Sequence, residues 1–138
     1  MKKTPRAISH VITPEPVVEG AGVRLKRSIG TMTLDHIDPF LLLDHFDSRH
    51  PEDYEAGFPL HPHRGIETVT YVLSGRVAHR DTLGSSGTIG AGDVQWMTAG
   101  GGIMHEEMPQ VSPEGISGFQ LWVNLPAHDK MVAPRYQD

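Results

Sequence analysis

The chain has 138 residues, a formal net charge of −5 and no cysteine. That length suits one domain with a buried core, and the missing cysteines exclude disulfides, thiolate metal ligands and a cysteine nucleophile. The basic clusters at residues 1–6 (MKKTPR) and 23–27 (VRLKR) are too short to track a phosphate backbone, so no direct nucleic-acid partner is expected. No apolar run approaches the roughly 20 residues of a membrane span. The expectation is a cytoplasmic protein without a membrane partner, the nucleus being open to a eukaryotic source.

Residues 7–13 and 23–28 read as short strands, with a turn or extended link at Thr13-Pro14-Glu15-Pro16 and a break at Gly20-Ala21-Gly22. Residues 40–43 (FLLL) form a continuous apolar run, as in a buried strand, and residues 45–58 read as a polar loop. From Ile66 the pattern turns strand-like. Residues 67–73 (ETVTYVL) are rich in β-branched and aromatic side chains and stop at Ser74-Gly75. Strands follow at 76–82, 88–89, 94–98, 103–108 and 117–125, separated by glycine turns, among them a hairpin loop at 84–87. Gly100-Gly101-Gly102 is a bend that aims the next strand; no helix or Lys-Ser/Thr follows it, so it is no phosphate loop. Strands at 8–12-residue spacing with no helix between them predict an all-β sandwich or barrel.

Nine histidines are present, and His61-Pro62-His63 places two of them on one strand face. Forty-two residues after His63, His105 and Glu107 also share a face, with Glu106 turned away. Two such pairs on adjacent strands can converge on one point. Three neutral imidazoles and a carboxylate suit Fe(II), Mn, Ni, Cu or Zn, give Mg or Ca no advantage, and leave two octahedral positions open. Glu67 lies four residues after His63 and also faces inward if the strand is regular, so spacing alone does not choose between Glu67 and Glu107. Trp96 and Trp122, with Met97, Met104 and Met108, read mainly as core and alternatively as the wall of a flavonoid-sized pocket. Arg64 reads equally as an anion-steering group or a surface ion pair.

Residues 61–73 (HPHRGIETVTYVL) and 92–109 (GDVQWMTAGGGIMHEEMP) resemble the two cupin motifs as the pirin family carries them. DPFLLLD at 38–44 and QLWVNL at 120–125 are similar to further pirin segments, so the resemblance spans about residues 20–135. It implies a single cupin, jelly-roll-like β-barrel over residues 1–125, followed by a linker-like tail at 126–138. The second, metal-free barrel usual in pirins is absent from the chain, and the face it would cover suggests a homodimer. The family's ligands map onto His61, His63, His105 and Glu107, with Fe(II) the expected metal. Glu67 then becomes a neighbouring acid. Pirins often carry a basic residue where Gly101 stands, so no function depending on that charge is carried over.

Two functions follow from the resemblance. One is a quercetin 2,3-dioxygenase-type oxygenase acting on a flavonoid-like aromatic, with Glu107 or Glu67 as the proton acceptor. The other is a redox-sensing regulator that binds a protein partner, a transcription cofactor or a modulator of a metabolic enzyme, without turnover.

Overall fold

Period-two alternation decides which face each strand turns inward. In the computed structural model, which describes residues 6–137, Val23 and Leu25 of strand β2 (Val23–Ile29) are buried while Arg24 and Lys26 face solvent. The same alternation buries Leu42, Asp44 and Phe46 of β3 (Phe40–Ser48), and Thr68, Thr70 and Val72 of β5 (Ile66–Ser74). The remaining strands among the described residues are β1 (Glu15–Glu19), β4 (Phe58–His63), β6 (Arg76–Asp81), β7 (Ser86–Gly90), β8 (Val94–Thr98), β9 (Ile103–Pro109), β10 (Ile116–Asn124) and β11 (Arg135–Gln137). A single 3-10 turn at Pro51–Asp53 is the one helical element among them.

Seven strands form an antiparallel sheet in the order β1-β2-β3-β10-β5-β8-β11, and four form a second sheet, β4-β9-β6-β7. The sheets pack face to face. One buried cluster joins Val23, Leu25, Phe46, Val72 and Ile116 of the larger sheet to Val77 and Ile89 of the smaller. A second holds Met97, Ala99 and Ile103, with Tyr136 of β11 against them. Along β9, Ile103 belongs to the second cluster and the next two inward positions are His105 and Glu107. On β6, Val77 belongs to the first cluster and is followed inward by His79 and Asp81. A polar layer thus lies between two apolar clusters.

Several strands differ from the sequence reading. Residues 7–13 form no strand; the first pairing, against β2, belongs to residues 15–19, which begin inside the Thr13–Pro16 stretch read as a turn or extended link. Pro16 is tolerated there because β1 is an edge, where a missing N–H costs no ladder bond. Strand β3 runs through the residues 45–48 assigned to a loop, held by pairing with β10. Within residues 126–138, read as a linker or short helix, β11 instead extends the sheet by pairing with β8. Residues 1–5 of the basic N-terminal cluster, and Asp138, lie outside the described residues.

Candidate metal centre

Strand β4 is the edge of the smaller sheet, and this position tolerates Pro62 between two histidines. Its pairing with β9 sets His61 opposite His105 and His63 opposite Ile103. The register slips by one residue between Phe58 and His61. In that irregular stretch the carbonyl of Pro59 turns to the His61 ring and stands 2.9 Å from Nδ1. A carbonyl only accepts, so this contact places a proton on Nδ1 and leaves Nε2 turned toward His63.

The donor atoms of His61, His63 and His105 lie within 4.8 Å of one another. Nε2 of His61 and Nε2 of His63 are 3.0 Å apart. Two nitrogens bound at right angles to one metal, each at roughly 2.1 Å, stand about 3.0 Å apart, so this separation fits two adjacent ligands. His105 is 1% exposed, and neither ring nitrogen has a hydrogen-bond partner. An unpaired buried polar atom costs about 1–3 kcal/mol, so His105 is poorly explained as a packing residue and well explained as a ligand. Burial, then the neighbouring His105 and His61, hold the His63 imidazole down to about 3. Burial, then His61 and His79, bring His105 down to about 4 despite the opposing pull of Asp81. Both rings are therefore neutral at ordinary pH, the form that binds a metal.

Glu107 adjoins this group. Its Oε2 is 4.0 Å from Nε2 of His105, and its Oε1 is 3.0 Å from the Thr70 hydroxyl. Burial raises the affinity of the carboxyl for a proton, partly offset by the Thr70 hydrogen bond. Thr70 Oγ1 also lies 2.7 Å from the side-chain amide of Gln120. The Gln120 atom is its Oε1, an acceptor, and one hydroxyl has one proton to give, so Thr70 donates to Gln120 or to Glu107 at any moment and not to both.

Glu67 stands elsewhere. It alternates with Thr68 and Thr70 along β5 and accepts a 2.7 Å hydrogen bond from Thr98. Since Thr70 reaches Glu107 inside, Glu67 belongs to the opposite face. The reason is Arg64-Gly65, where the chain crosses from β4 in one sheet to β5 in the other, with Gly65 at a φ of 69°. A count of residues across that step does not preserve face.

The site opens on a cavity of about 550 Å³ walled in part by His61, His63, Thr70, Glu107, Gln120 and Trp122. The Trp122 ring meets His63 edge-on with centroids 5.1 Å apart, which makes it a cavity wall, whereas Trp96 and Met104 are partly exposed and Met97 is core. Another wall carries Arg27, whose Nε and Nη2 each lie 2.8 Å from an Asp44 oxygen and whose Nη1 is 2.9 Å from Glu19. Arg64 rests on the Met131 sulfur, 3.4 Å away. Thr70, Gln120, Arg27, Asp44 and His79 all escaped the sequence reading as site residues. The available signal was a polar residue at an inward position of a strand.

Two antiparallel sheets closed around a histidine-lined interior define a cupin-type β-barrel with a candidate metal centre. The sequence profile described as Pirin matches residues 22–123. The chain belongs to the pirin family. It is 53% identical over 133 residues to a pirin-like protein of Caulobacter vibrioides, covering 96% of this chain and 48% of that one. The crystal structure of a quercetin 2,3-dioxygenase from Acinetobacter baumannii is similar with a TM-score of 0.75 and 40% identity, over 91% of this chain and 46% of that one. A bacterial pirin from Escherichia coli, solved in complex with nickel(II), matches with a TM-score of 0.71 and 27% identity, over 90% and 53%. The chain spans about half the length of the curated relatives it matches. Among the described residues no helix is long and apolar enough to cross a membrane.

Proposed function

We propose that this chain is a metal-dependent oxygenase domain of the quercetin 2,3-dioxygenase type, with one divalent metal held by His61, His63, His105 and Glu107. The observation that carries this reading is the convergence of three imidazoles, two of them (His61 and His63) lining a cavity of about 550 Å³, a volume within the range of small-molecule sites. Fe(II) is the first choice, and the donor set also suits Mn, Ni, Cu and Zn. The bound metal supplies Lewis acidity beside a substrate hydroxyl and redox access to dioxygen.

The rest of the chemistry belongs to the chain. Glu107 accepts the proton of a flavonol hydroxyl at Oε2, the oxygen not engaged by Thr70. Thr70 holds that carboxylate in place through its Oε1. Trp122 offers an aromatic face to a planar substrate, and the apolar walls exclude water from the reacting atoms. Glu67, on the outer face, takes no proton in this scheme. The test is anaerobic loading with one Fe(II) per chain followed by dioxygen uptake on adding quercetin, with His105→Ala as control. Uptake that needs both iron and His105 supports the reading; an iron-loaded protein that consumes no dioxygen rejects it.

A binding role is a second reading, favoured by one observation. Tyr71, Leu73, Val94 and Trp96 are 38–45% exposed on the outer face of the larger sheet, where β5 pairs with β8. Such a contiguous apolar patch suits a protein partner or a second copy of the chain. A partner affinity that changes between the ferrous and ferric protein supports regulation; equal binding in both states counts against it.

A further inference from the structure

Behind the three histidines lies a group of buried polar atoms that neither substrate contact nor ordinary packing explains. Strand β6 pairs with β9 so that His79 faces Glu107 and Asp81 faces His105. The outer face of this pair is identified by Arg80 and Glu106, which form an ion pair on the partly exposed side. His79 and Asp81 therefore share the inner face with His105 and Glu107. Residues directly opposed on paired strands have Cβ atoms roughly 4.5–5.5 Å apart, close enough for a carboxylate to serve a neighbouring imidazole.

His61 and His105 differ in one respect. His61 has its Nδ1 on the Pro59 carbonyl, an arrangement that fixes the tautomer and orients Nε2. His105 has no such support on either nitrogen. Its Nε2 is the nitrogen facing Glu107, so Nδ1 needs an acceptor once Nε2 is turned to a metal. Metal-bound histidines ordinarily find that acceptor in a carboxylate or a carbonyl. Asp81 provides a carboxylate already held in place. Its Oδ1 accepts the backbone N–H of Leu83 at 2.8 Å and of Ser85 at 3.0 Å. Its Oδ2 is buried and makes no hydrogen bond of its own, and the Tyr136 side chain of β11 acts on the carboxylate from the neighbouring sheet. A carboxylate oxygen has two lone pairs and can take both Tyr136 and His105.

We infer that Asp81 is the positioning residue of His105: the two stand opposite each other on paired strands with Oδ2 and Nδ1 both unpartnered, so with a metal on Nε2 the carboxylate is the acceptor for the ring's Nδ1–H, and Tyr136 braces it from the neighbouring sheet. The inference rests on the metal reading proposed above and deepens it. It also gives β11 a part in the site, because the strand carries Tyr136 to the inner side of the barrel between Met97 and Ile103.

The variant Asp81→Asn is a clean probe. Asparagine keeps Oδ1 for the turn and replaces Oδ2 with an N–H₂ donor, which cannot receive Nδ1–H. The measurement is Co(II) affinity by chelator competition, together with the visible spectrum of the Co(II) protein, for wild type, D81N, Y136F and His105→Ala. The expected loss in D81N is about 10–100-fold with an altered Co(II) spectrum, a smaller loss in Y136F, and an unfolding temperature of metal-free D81N close to wild type. Wild-type affinity and spectrum in D81N overturn the inference. Should D81N fail to fold, Y136F decides, since it leaves the turn untouched: reduced affinity supports the brace and unchanged affinity removes it. Wild type that takes up no Co(II), or His105→Ala that binds as well as wild type, rejects the metal reading and the inference with it. Loss in His105→Ala alone rejects only the role of Asp81.

Discussion

Thr70 connects the candidate ligand Glu107 to Gln120, and both contacts are buried or nearly so. Thr70→Val keeps shape and β propensity but leaves two polar groups without their hydroxyl. The expected cost is about 1–3 kcal/mol in the metal-free protein, read from urea unfolding at constant slope. The histidines make a second prediction at this scale. His63 and His105 titrate near 3 and 4 when folded and near 6.5 when unfolded. Between those values the unfolded chain holds more protons, so stability rises with pH across the window and is lost as pH falls below about 6.5. Glu107 acts in the opposite sense, because its raised pKa makes the fold hold a proton that the unfolded chain releases above its ordinary value of 4.5. Below about pH 6 the two histidines carry the larger proton difference, since each group binds at most one proton, so metal-free protein is expected to lose stability as pH falls from about 6 toward 4 in denaturant titrations. A flat profile would show that these rings are not held neutral.

At the scale of the element, the strands were legible where glycine turns bounded β-branched runs. Residues 94–98 match β8 without adjustment, and 67–73 fall inside β5. The H-x-H and H-x-E faces were legible because each pair lies within one strand, where alternation is dependable. Glu67 faces away from the histidines because the step at Gly65 changes sheet, a tertiary event with no period of its own. The support from Thr70, Gln120 and Asp81 was hidden for a related reason: it arises from cross-strand register, which no local pattern encodes. Register also imposes a close approach at Gly118 of β10. A Cβ there would press on the Tyr71 carbonyl oxygen and lie 2.6 Å from the Phe46 ring. Gly118→Ala is therefore expected to destabilise by about 1–3 kcal/mol through overpacking, measured by thermal or urea unfolding.

On the scale of the molecule, the larger sheet presents different surfaces on its two sides. Its inner side carries the polar layer, and its outer side exposes Tyr71, Leu73, Val94 and Trp96. If this face joins two copies, sedimentation should show a concentration-dependent dimer that Trp96→Glu dissociates while leaving metal uptake unchanged. A wild-type chain that stays monomeric throughout would leave the face to another partner.

The engagement of Arg27 has a consequence for what the interior admits. Among the described residues, Arg27 is the one arginine or lysine lining the cavity, alongside the carboxyl groups of Glu19, Asp44 and Glu107. Its guanidinium is already divided between Asp44 and Glu19, so no cationic donor of the chain is left for an incoming anion. The interior behaves as a charge filter: neutral aromatics can enter and surrender one proton at the metal, whereas sulfated or carboxylated relatives must part with their hydration and receive no counter-charge from the walls. Competition binding should rank a flavonol well above its sulfate ester, and freeing Arg27 by Asp44→Asn should narrow that gap.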